Sequence, residues 1–208
     1  MNQGELKTNI KLVLDNLDKI VKVPIGISNH HIHLKEEDFN ELFPGQKLTK
    51  RKALNQPGEF ASNQVVTVWG PKGKIEHVRV LGPFRQQSQV ELSATDARKI
   101  GVKAPVRLSG NLSGTPGVDL LTEQGAIHLD SGTIIAKRHV HMSTRDAKLL
   151  HVHQGEIVRV KVDSPERGVV FDDVEIRSGE NYKFEMHVDT DEANAANISP
   201  GSYGKFID

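Results

Sequence analysis

The chain has 208 residues with 27 basic and 27 acidic side chains, so its formal net charge is zero and no global field points to nucleic acid or an anionic membrane as partner. It contains no cysteine, which excludes disulfides, thiolate metal sites and a cysteine nucleophile and fits a reducing, cytoplasmic setting. A metal would need nitrogen and oxygen ligands, an anionic substrate would have to meet local Arg or Lys, and no apolar run approaches the ~18 residues of a membrane span.

The first predicted element is a helix. Over residues 5–22 apolar side chains fall at Leu6, Ile10, Val13, Leu14, Leu17, Ile20 and Val21, the spacing of an amphipathic helix with one apolar stripe. Such a helix either packs on its own domain or is a detachable tail that docks on a partner surface. From Val23 onward the texture changes to short β-rich runs punctuated by Gly and Pro, at 23–28, 64–69, 75–81, 89–93, 106–109, 133–137, 156–162, 169–176 and 182–188. Brief helices are predicted at about 36–43, 95–100, 144–150 and 190–197, each after a Ser, Thr, Asp or Lys. Many short strands with frequent turns favour β-barrels or sandwiches over a βαβ sheet. Segment 47–58, Lys-Leu-Thr-Lys-Arg-Lys-Ala-Leu-Asn-Gln-Pro-Gly, reads as an exposed basic loop.

These runs repeat. An offset of 108 residues places His139 on His31, His141 on His33, Asp146 on Asp38 and Leu150 on Leu42. An offset of 96 places Val174-Glu175-Ile176 on Val78-Arg79-Val80, Glu192-Ala193 on Asp96-Ala97 and His187 on Glu91. The first half therefore holds 12 more residues, assigned to the basic loop. The expected organisation is an N-terminal amphipathic helix over 1–21, a first β-barrel module over 22–112 and a second over 113–208, divided near the Gly-rich stretch from Ser109 to Gly117.

Side chains alternate along a strand, so His31 and His33 share one face, as do His139 and His141. A single His-X-His is as readily a packed pair of imidazoles as a ligand set. Its recurrence with a third metal-capable side chain, Glu91 in the first half and His187 in the second, favours two sites of three protein ligands each, the number found at catalytic zinc with an open position. His151-Val152-His153 is a third such tripeptide but follows a predicted helix and is read as a solvated turn; His30, His77 and His128 are read as lacking repeat partners and as structural. If the modules face one another, two metals could clamp a single substrate. Arg85, in Gly82-Pro83-Phe84-Arg85 and six residues before Glu91, could bring a forked donor to a phosphate, the alternative being an ordinary surface arginine. Ser109 could offer a hydroxyl or backbone amides to an anion, the alternative being a plain turn.

Three separated motifs carry a resemblance. Val23 to Leu34 (Val-Pro-Ile-Gly-Ile-Ser-Asn-His-His-Ile-His-Leu), Gly82-Pro83-Phe84-Arg85 with Gln89-Val90-Glu91-Leu92-Ser93, and Ala136 to Met142 (Ala-Lys-Arg-His-Val-His-Met) closely resemble the PduL-type phosphotransacylases, over about residues 22–208. The resemblance implies two tandem β-barrel domains capped by short helices, two zinc ions, and acyl transfer between coenzyme A and phosphate. It implies that His31, His33 and Glu91 hold the zinc that takes the coenzyme A sulfur, and that His139, His141 and His187 hold the zinc with exchangeable waters. It further implies that Arg85 binds phosphate, that Ser109 assists beside it, and that Ser28 touches coenzyme A. His30 stands where the commoner motif has Arg. N-terminal extensions in this family look like encapsulation tags, which implies shell proteins of a bacterial microcompartment as partners and propanediol or ethanolamine breakdown as the setting. The assembly stays open, a homo-oligomer included.

Two other readings fit part of this pattern. A cupin-like oxygenase would use His31, His33 and Glu37, yet Arg145 occupies the place of Glu37 in the second half and the Glu91/His187 match goes unexplained. A noncatalytic zinc-stabilised scaffold would more often use closed, Cys-rich sites.

Overall fold

The structure is a computed structural model that describes residues 3–14 and 21–207. Helix α1 (Gln3–Leu14) is followed by β1 (Val23–Ser28), β2 (His31–His33), α2 (Glu36–Leu42), β3 (Lys50–Ala53), β4 (Phe60–Gly70), β5 (Gly73–Gly82), β6 (Gln89–Leu92) and α3 (Ala94–Ile100). Then come β7 (Val106–Arg107), β8 (Val118–Leu121), β9 (Ala126–Leu129), β10 (Thr133–Ala136), β11 (His139–Ser143), α4 (Thr144–Leu149), β12 (Ile157–Val162), β13 (Val169–Gly179), β14 (Glu185–Asp189), α5 (Thr190–Ala195) and β15 (Tyr203–Ile207). The expected mainly β architecture holds: one sheet closes as a barrel in the order β1-β14-β11-β13-β12-β15, and a nine-stranded sheet runs β7-β10-β6-β2-β5-β4-β8-β9 with β3 on β4, curling part-way to a barrel.

The chain divides into two compact units. One comprises residues 28–137 with 189–191; the other comprises 1–27, 138–188 and 192–208. The cut thus falls between Lys137 and Arg138, whereas the repeat placed a module boundary at 112/113. Backbone pairing accounts for the difference: β10 runs parallel to β6 with Ile134 opposite Glu91, and β8 pairs β4, so residues 118–136 complete the sheet of the earlier unit. Likewise β1 pairs β15, with Val23 opposite Gly204, and belongs to the closed barrel.

Each unit has its own apolar core. Ile32, Leu34, Phe39, Val68, Val80, Val90 and Leu120 are central to one, and Val23, Val140, Met142, Val160, Val174, Ile176 and Met186 to the other. The His-X-His strands show how the sequence produces this. Alternation sends Ile32 and Val140 into the cores, both with no exposed surface, while the flanking histidines turn to the opposite face. Removing such a buried aliphatic side chain costs about 2–5 kcal/mol, so the middle residue of each tripeptide fixes the strand that presents the histidines.

The repeat extends to backbone detail. His77 in β5 and Asp173 in β13, 96 residues apart, are both left-handed (φ 61° and 56°), and both strands shift register beside them. Gly101 and Asn197, at the same offset, are left-handed residues after α3 and α5 (φ 79° and 52°), the conformation that ends a helix. At the other end of the helices, Ser93 and Ser143 cap α3 and α4 by accepting from the amides of Asp96 and Asp146 at 3.1 and 3.0 Å.

Of the predicted 5–22 stretch, residues 5–14 lie in helix α1. Its Leu6, Ile10 and Val13 are 43%, 50% and 56% exposed. Residues 15–20, with the stripe positions Leu17 and Ile20, lie outside the described residues. Segment 47–58 is largely exposed as expected, apart from the buried Gln56, but Lys50–Ala53 form strand β3 against β4. No helix among the described residues is long and apolar enough to cross a membrane.

Candidate functional site

In both units the His-X-His strand lies between a parallel and an antiparallel neighbour in the same register. His31 and His33 on β2 stand opposite Arg79 and Leu81 of β5 on one side and opposite Glu91 and Gln89 of β6 on the other. His139 and His141 on β11 stand opposite Glu175 and Arg177 of β13, and opposite His187 and Glu185 of β14. Each tripeptide and the residue across from its first histidine thus form a three-donor cluster. The donor atoms lie within 4.8 Å of one another in His31-His33-Glu91 and again in His139-His141-His187.

In the first cluster all three side chains are buried. His31 Nδ1 donates to the carbonyl of Asn29 at 2.8 Å, which leaves Nε2 turned to Glu91 Oε2 at 3.4 Å. A histidine whose outer nitrogen is tied to a carbonyl has its inner nitrogen oriented for a cation. Ser28 Oγ lies 3.4 Å from the same Nδ1. Burial lowers the His31 pKa, but the charge and hydrogen bond of Glu91 and the Asn29 carbonyl together outweigh it and raise the value. Burial drives His33 well below the ordinary imidazole range, helped by the charges of His31 and Arg85. Burial alone would raise Glu91, yet His31, His33 and Arg85 hold its carboxyl below the usual carboxylate range.

In the second cluster the rings crowd without a carboxylate donor among them. His139 and His187 stack at 5.1 Å between centroids, His141 meets each of them edge-on at 4.6 and 4.9 Å, and the Tyr182 ring lies 4.5 Å from His141. Burial first, and then the charges of His139, His187 and Arg177, lower the His141 pKa to about 2. His187 Nε2 and Glu185 Oε2 are 2.9 Å apart. Gly26 of β1 leaves room for that carboxylate, since a Cβ there would sit 3.0 Å from Glu185 Cδ.

Both clusters fit a cation. Nδ1 of His33 and Nδ1 of His141 are buried and have no hydrogen-bond partner. An orphaned buried nitrogen is costly, and two neutral imidazoles beside an ionised carboxylate, or three imidazoles, are the nitrogen and oxygen donors that zinc accepts.

Arg85 is positioned by its own backbone, whose amide donates to the Leu34 carbonyl at 2.9 Å. Its guanidinium reaches Ser109, Nη1 to Oγ at 2.7 Å, and Glu59, Nη2 to Oε1 at 3.3 Å. Arg85 and Ser109, 24 residues apart in sequence, are therefore direct neighbours. The link between this pair and the donor cluster was missed in the sequence: Gln89, 1% exposed, donates from Nε2 to Glu91 Oε1 and to Ser109 Oγ (2.9 Å), and its Oε1 accepts from the Gly110 amide at 2.7 Å. The signal that would have found it was present, because the 96-residue offset places Glu185 on Gln89, two residues before each third donor.

His30 Nδ1 lies 2.9 Å from Asp96 Oδ2, and Arg138 Nη1 lies 2.7 Å from Glu192 Oε1. The repeat makes these the same pair, so the histidine before the first triad takes the bond that an arginine makes before the second. His30 thus has a repeat partner, contrary to the sequence reading. His153 pairs with Glu156 at 2.6 Å on the exposed surface, and His128 with Asp119 at 2.6 Å, and neither joins a three-donor cluster.

The family described as phosphate propanoyltransferase matches residues 24–199. A phosphate propanoyltransferase of Levilactobacillus brevis is 53% identical over all of this chain and 99% of its own length. One of Shewanella putrefaciens is 54% identical over 86% of this chain and 85% of its own, and one of Salmonella typhimurium is 46% identical over the whole chain and 99% of its own. Repeated β units with paired donor clusters, taken with these relatives, make the chain an enzyme of the acyltransferase class. It belongs to the phosphate propanoyltransferase family.

Proposed function

We propose that this chain interconverts propanoyl-CoA plus phosphate with propanoyl phosphate plus CoA, accepts acetyl-CoA as well, and works with two zinc ions held by His31, His33 and Glu91 and by His139, His141 and His187. The observation that carries the reading is the hydrogen-bonded chain Arg85–Ser109–Gln89–Glu91, which ties an anion-binding guanidinium to one donor cluster. Zinc bound at the first cluster would hold the leaving sulfur as thiolate, and at the second would offset phosphate charge.

The protein's part is placement. Arg85 presents the planar fork that matches phosphate oxygens, and each charge-assisted hydrogen bond contributes about 1.5–3 kcal/mol. Incoming phosphate exchanges with Glu59 for this fork. Ser109 Oγ already accepts from Arg85 Nη1 and Gln89 Nε2. With both lone pairs engaged, its hydroxyl hydrogen is the free element, and Ser109 acts as a donor to a phosphate oxygen rather than as an acyl carrier. A phosphate oxygen so held attacks the thioester carbon; the C–O bond forms as the C–S bond breaks, and the sulfur leaves with its electron pair on CoA. Ser28, whose hydroxyl lies 3.4 Å from His31 Nδ1, is the residue proposed to contact the coenzyme. Orientation of two bound reactants can supply about 7–11 kcal/mol of the barrier, so no covalent acyl-enzyme is needed.

The test is release of CoA from propanoyl-CoA and acetyl-CoA, with and without phosphate, by chain that is metal-stripped and then reloaded with zinc. Phosphate-dependent release that returns with zinc is expected. Iron content with no phosphate-dependent release would favour the cupin-like alternative, and a folded His139→Ala chain with full transfer would favour a scaffold.

The same proposal covers location. The exposed Leu6, Ile10 and Val13 of α1 suit a tag that docks on microcompartment shell proteins, which would place the enzyme with propanediol or ethanolamine breakdown. Deleting residues 1–21 should abolish co-sedimentation with shells while leaving CoA release intact; unchanged packaging would count against the tag.

A further inference from the structure

We infer that Gln89 and Glu185 are matched positioning residues, each chosen for the chemistry of the third donor two residues on, so that every triad and its support carry one carboxylate between them. The inference rests on the two-metal reading above and names residues that the reading did not contain.

The two residues occupy one position of the repeat. Gln89 stands opposite His33 and Glu185 opposite His141, in antiparallel strands of identical register. Residues i and i+2 of a strand share a face, so Gln89 lies beside Glu91 and Glu185 beside His187. The contacts are complementary. The Gln89 amide donates to the Glu91 carboxylate, and the Glu185 carboxylate faces His187 Nε2 at 2.9 Å. An anionic donor receives an N–H; an imidazole donor receives an acceptor that fixes which nitrogen carries its proton and leaves Nδ1 for a cation. Exchanging a support without its ligand breaks the match. Glutamate at 89 would set two carboxylates against each other in a buried place, and glutamine at 185 would remove the charged acceptor that raises imidazole basicity.

Neighbouring structure holds both supports in place. The Gln89 oxygen is used by the Gly110 amide and its second N–H by Ser109, so its amide has one satisfied orientation. Glu185 lies against Gly26, where no Cβ intrudes.

The experiment is a double-substitution cycle on the full chain, read as zinc affinity by chelator competition and as bound zinc per chain. Gln89→Glu alone should weaken zinc binding at the first triad by roughly 10–100-fold, the usual loss when an outer partner is changed, and Glu91→His alone, which replaces a ligand beside an unchanged amide, should weaken it at least as much. The combined Gln89→Glu/Glu91→His chain, which transplants the second unit's pair, should recover to within about tenfold of the parent. The reciprocal Glu185→Gln/His187→Glu set uses side chains 16% and 26% exposed, and decides the matter if the buried first set does not fold. Losses that multiply, with no recovery in the double variants, overturn the matched-pair inference while leaving the two-metal reading intact. A parent chain that binds no zinc at all overturns both.

Discussion

In the unit of residues 28–137 the third donor is a carboxylate set between two imidazoles, with Arg85 close enough to influence all three. In the unit containing residues 138–188 it is a third imidazole, with Arg177 and Tyr182 nearby. The strand registers around the two triads match; the protonation patterns do not. Glu91 raises His31 while His33 falls, so the metal-free first triad has a site that retains a proton. The second has no carboxylate donor, and burial with its neighbours' positive charge takes His141 down to about 2. The contrast shows that strand pairing fixes where donors stand, whereas one residue of the repeat decides what charge they hold, and so how each unit answers a metal and a proton.

The largest test of this contrast is to remove one donor from each side. His31→Ala and His139→Ala should each lower bound zinc from two ions to one per chain, and each should slow acyl transfer on the order of 10³-fold, since several kcal/mol of charge stabilisation is lost. Loss of both ions from either variant would mean that the triads are not separate sites. Next in size, Arg85→Ala should raise KM for phosphate by about 10–150-fold, the equivalent of about 1.5–3 kcal/mol, with zinc content unchanged; an unchanged KM would remove Arg85 from the phosphate site. Gly26→Ala pushes a methyl group against Glu185 and should weaken zinc at the second triad about tenfold without touching the first, as chelator competition on the parent and variant would show.

Acid should separate the units of the metal-free protein. The folded pKa of His141 lies below its unfolded value of about 6.5, so its contribution to stability is present above that pH and is lost as pH falls. At the first triad His33 acts in the same sense, but His31, raised on folding, favours the folded state below about 6.5 and opposes the loss until the carboxylate range is reached. Hydrogen exchange, corrected for intrinsic rates, should show β11 and β14 losing protection between about pH 6.5 and 5, ahead of β2 and β6. The reverse order would contradict the protonation contrast. The smallest effect belongs to the paired anchors: His30→Arg reproduces Arg138 and should shift stability by less than about 1 kcal/mol, as partly exposed ion pairs do, measured by denaturant melts.

Much of this is legible in the sequence alone. Both donor triads follow from strand alternation and two offsets, and strands with Val and Ile at alternating positions, such as 157–162, fall where predicted. What escaped was set by pairing over long sequence distances. Strand β3 reads as a basic loop because Lys50, Arg51 and Lys52 lack an apolar face; it is a strand only because β4 offers an edge. Strands β8, β9 and β15 are short and bounded by weak signals, and become strands through β4 and β12. Gln89 was passed over because a lone glutamine before Val-Glu-Leu carries no chemistry by itself; the 96-residue offset marks its position against Glu185, but its bonds form only when Ser109 and Gly110, about 20 residues on, fold back against it.

The pairing of β1 with β15 also has a temporal side. During synthesis the strand at Val23 emerges long before its partner at Tyr203, and the barrel bearing the second triad has no closed edge until both exist. The sheet bearing the first triad needs nothing beyond Ala136 for its strand order. On the ribosome the unit with Glu91 can therefore assemble while β1 waits as an unpaired edge, exposed to the wrong neighbours for as long as translation of the remaining chain takes. Slowing elongation after residue 137 should leave the first unit protected from proteolysis and the N-terminal strand open to it.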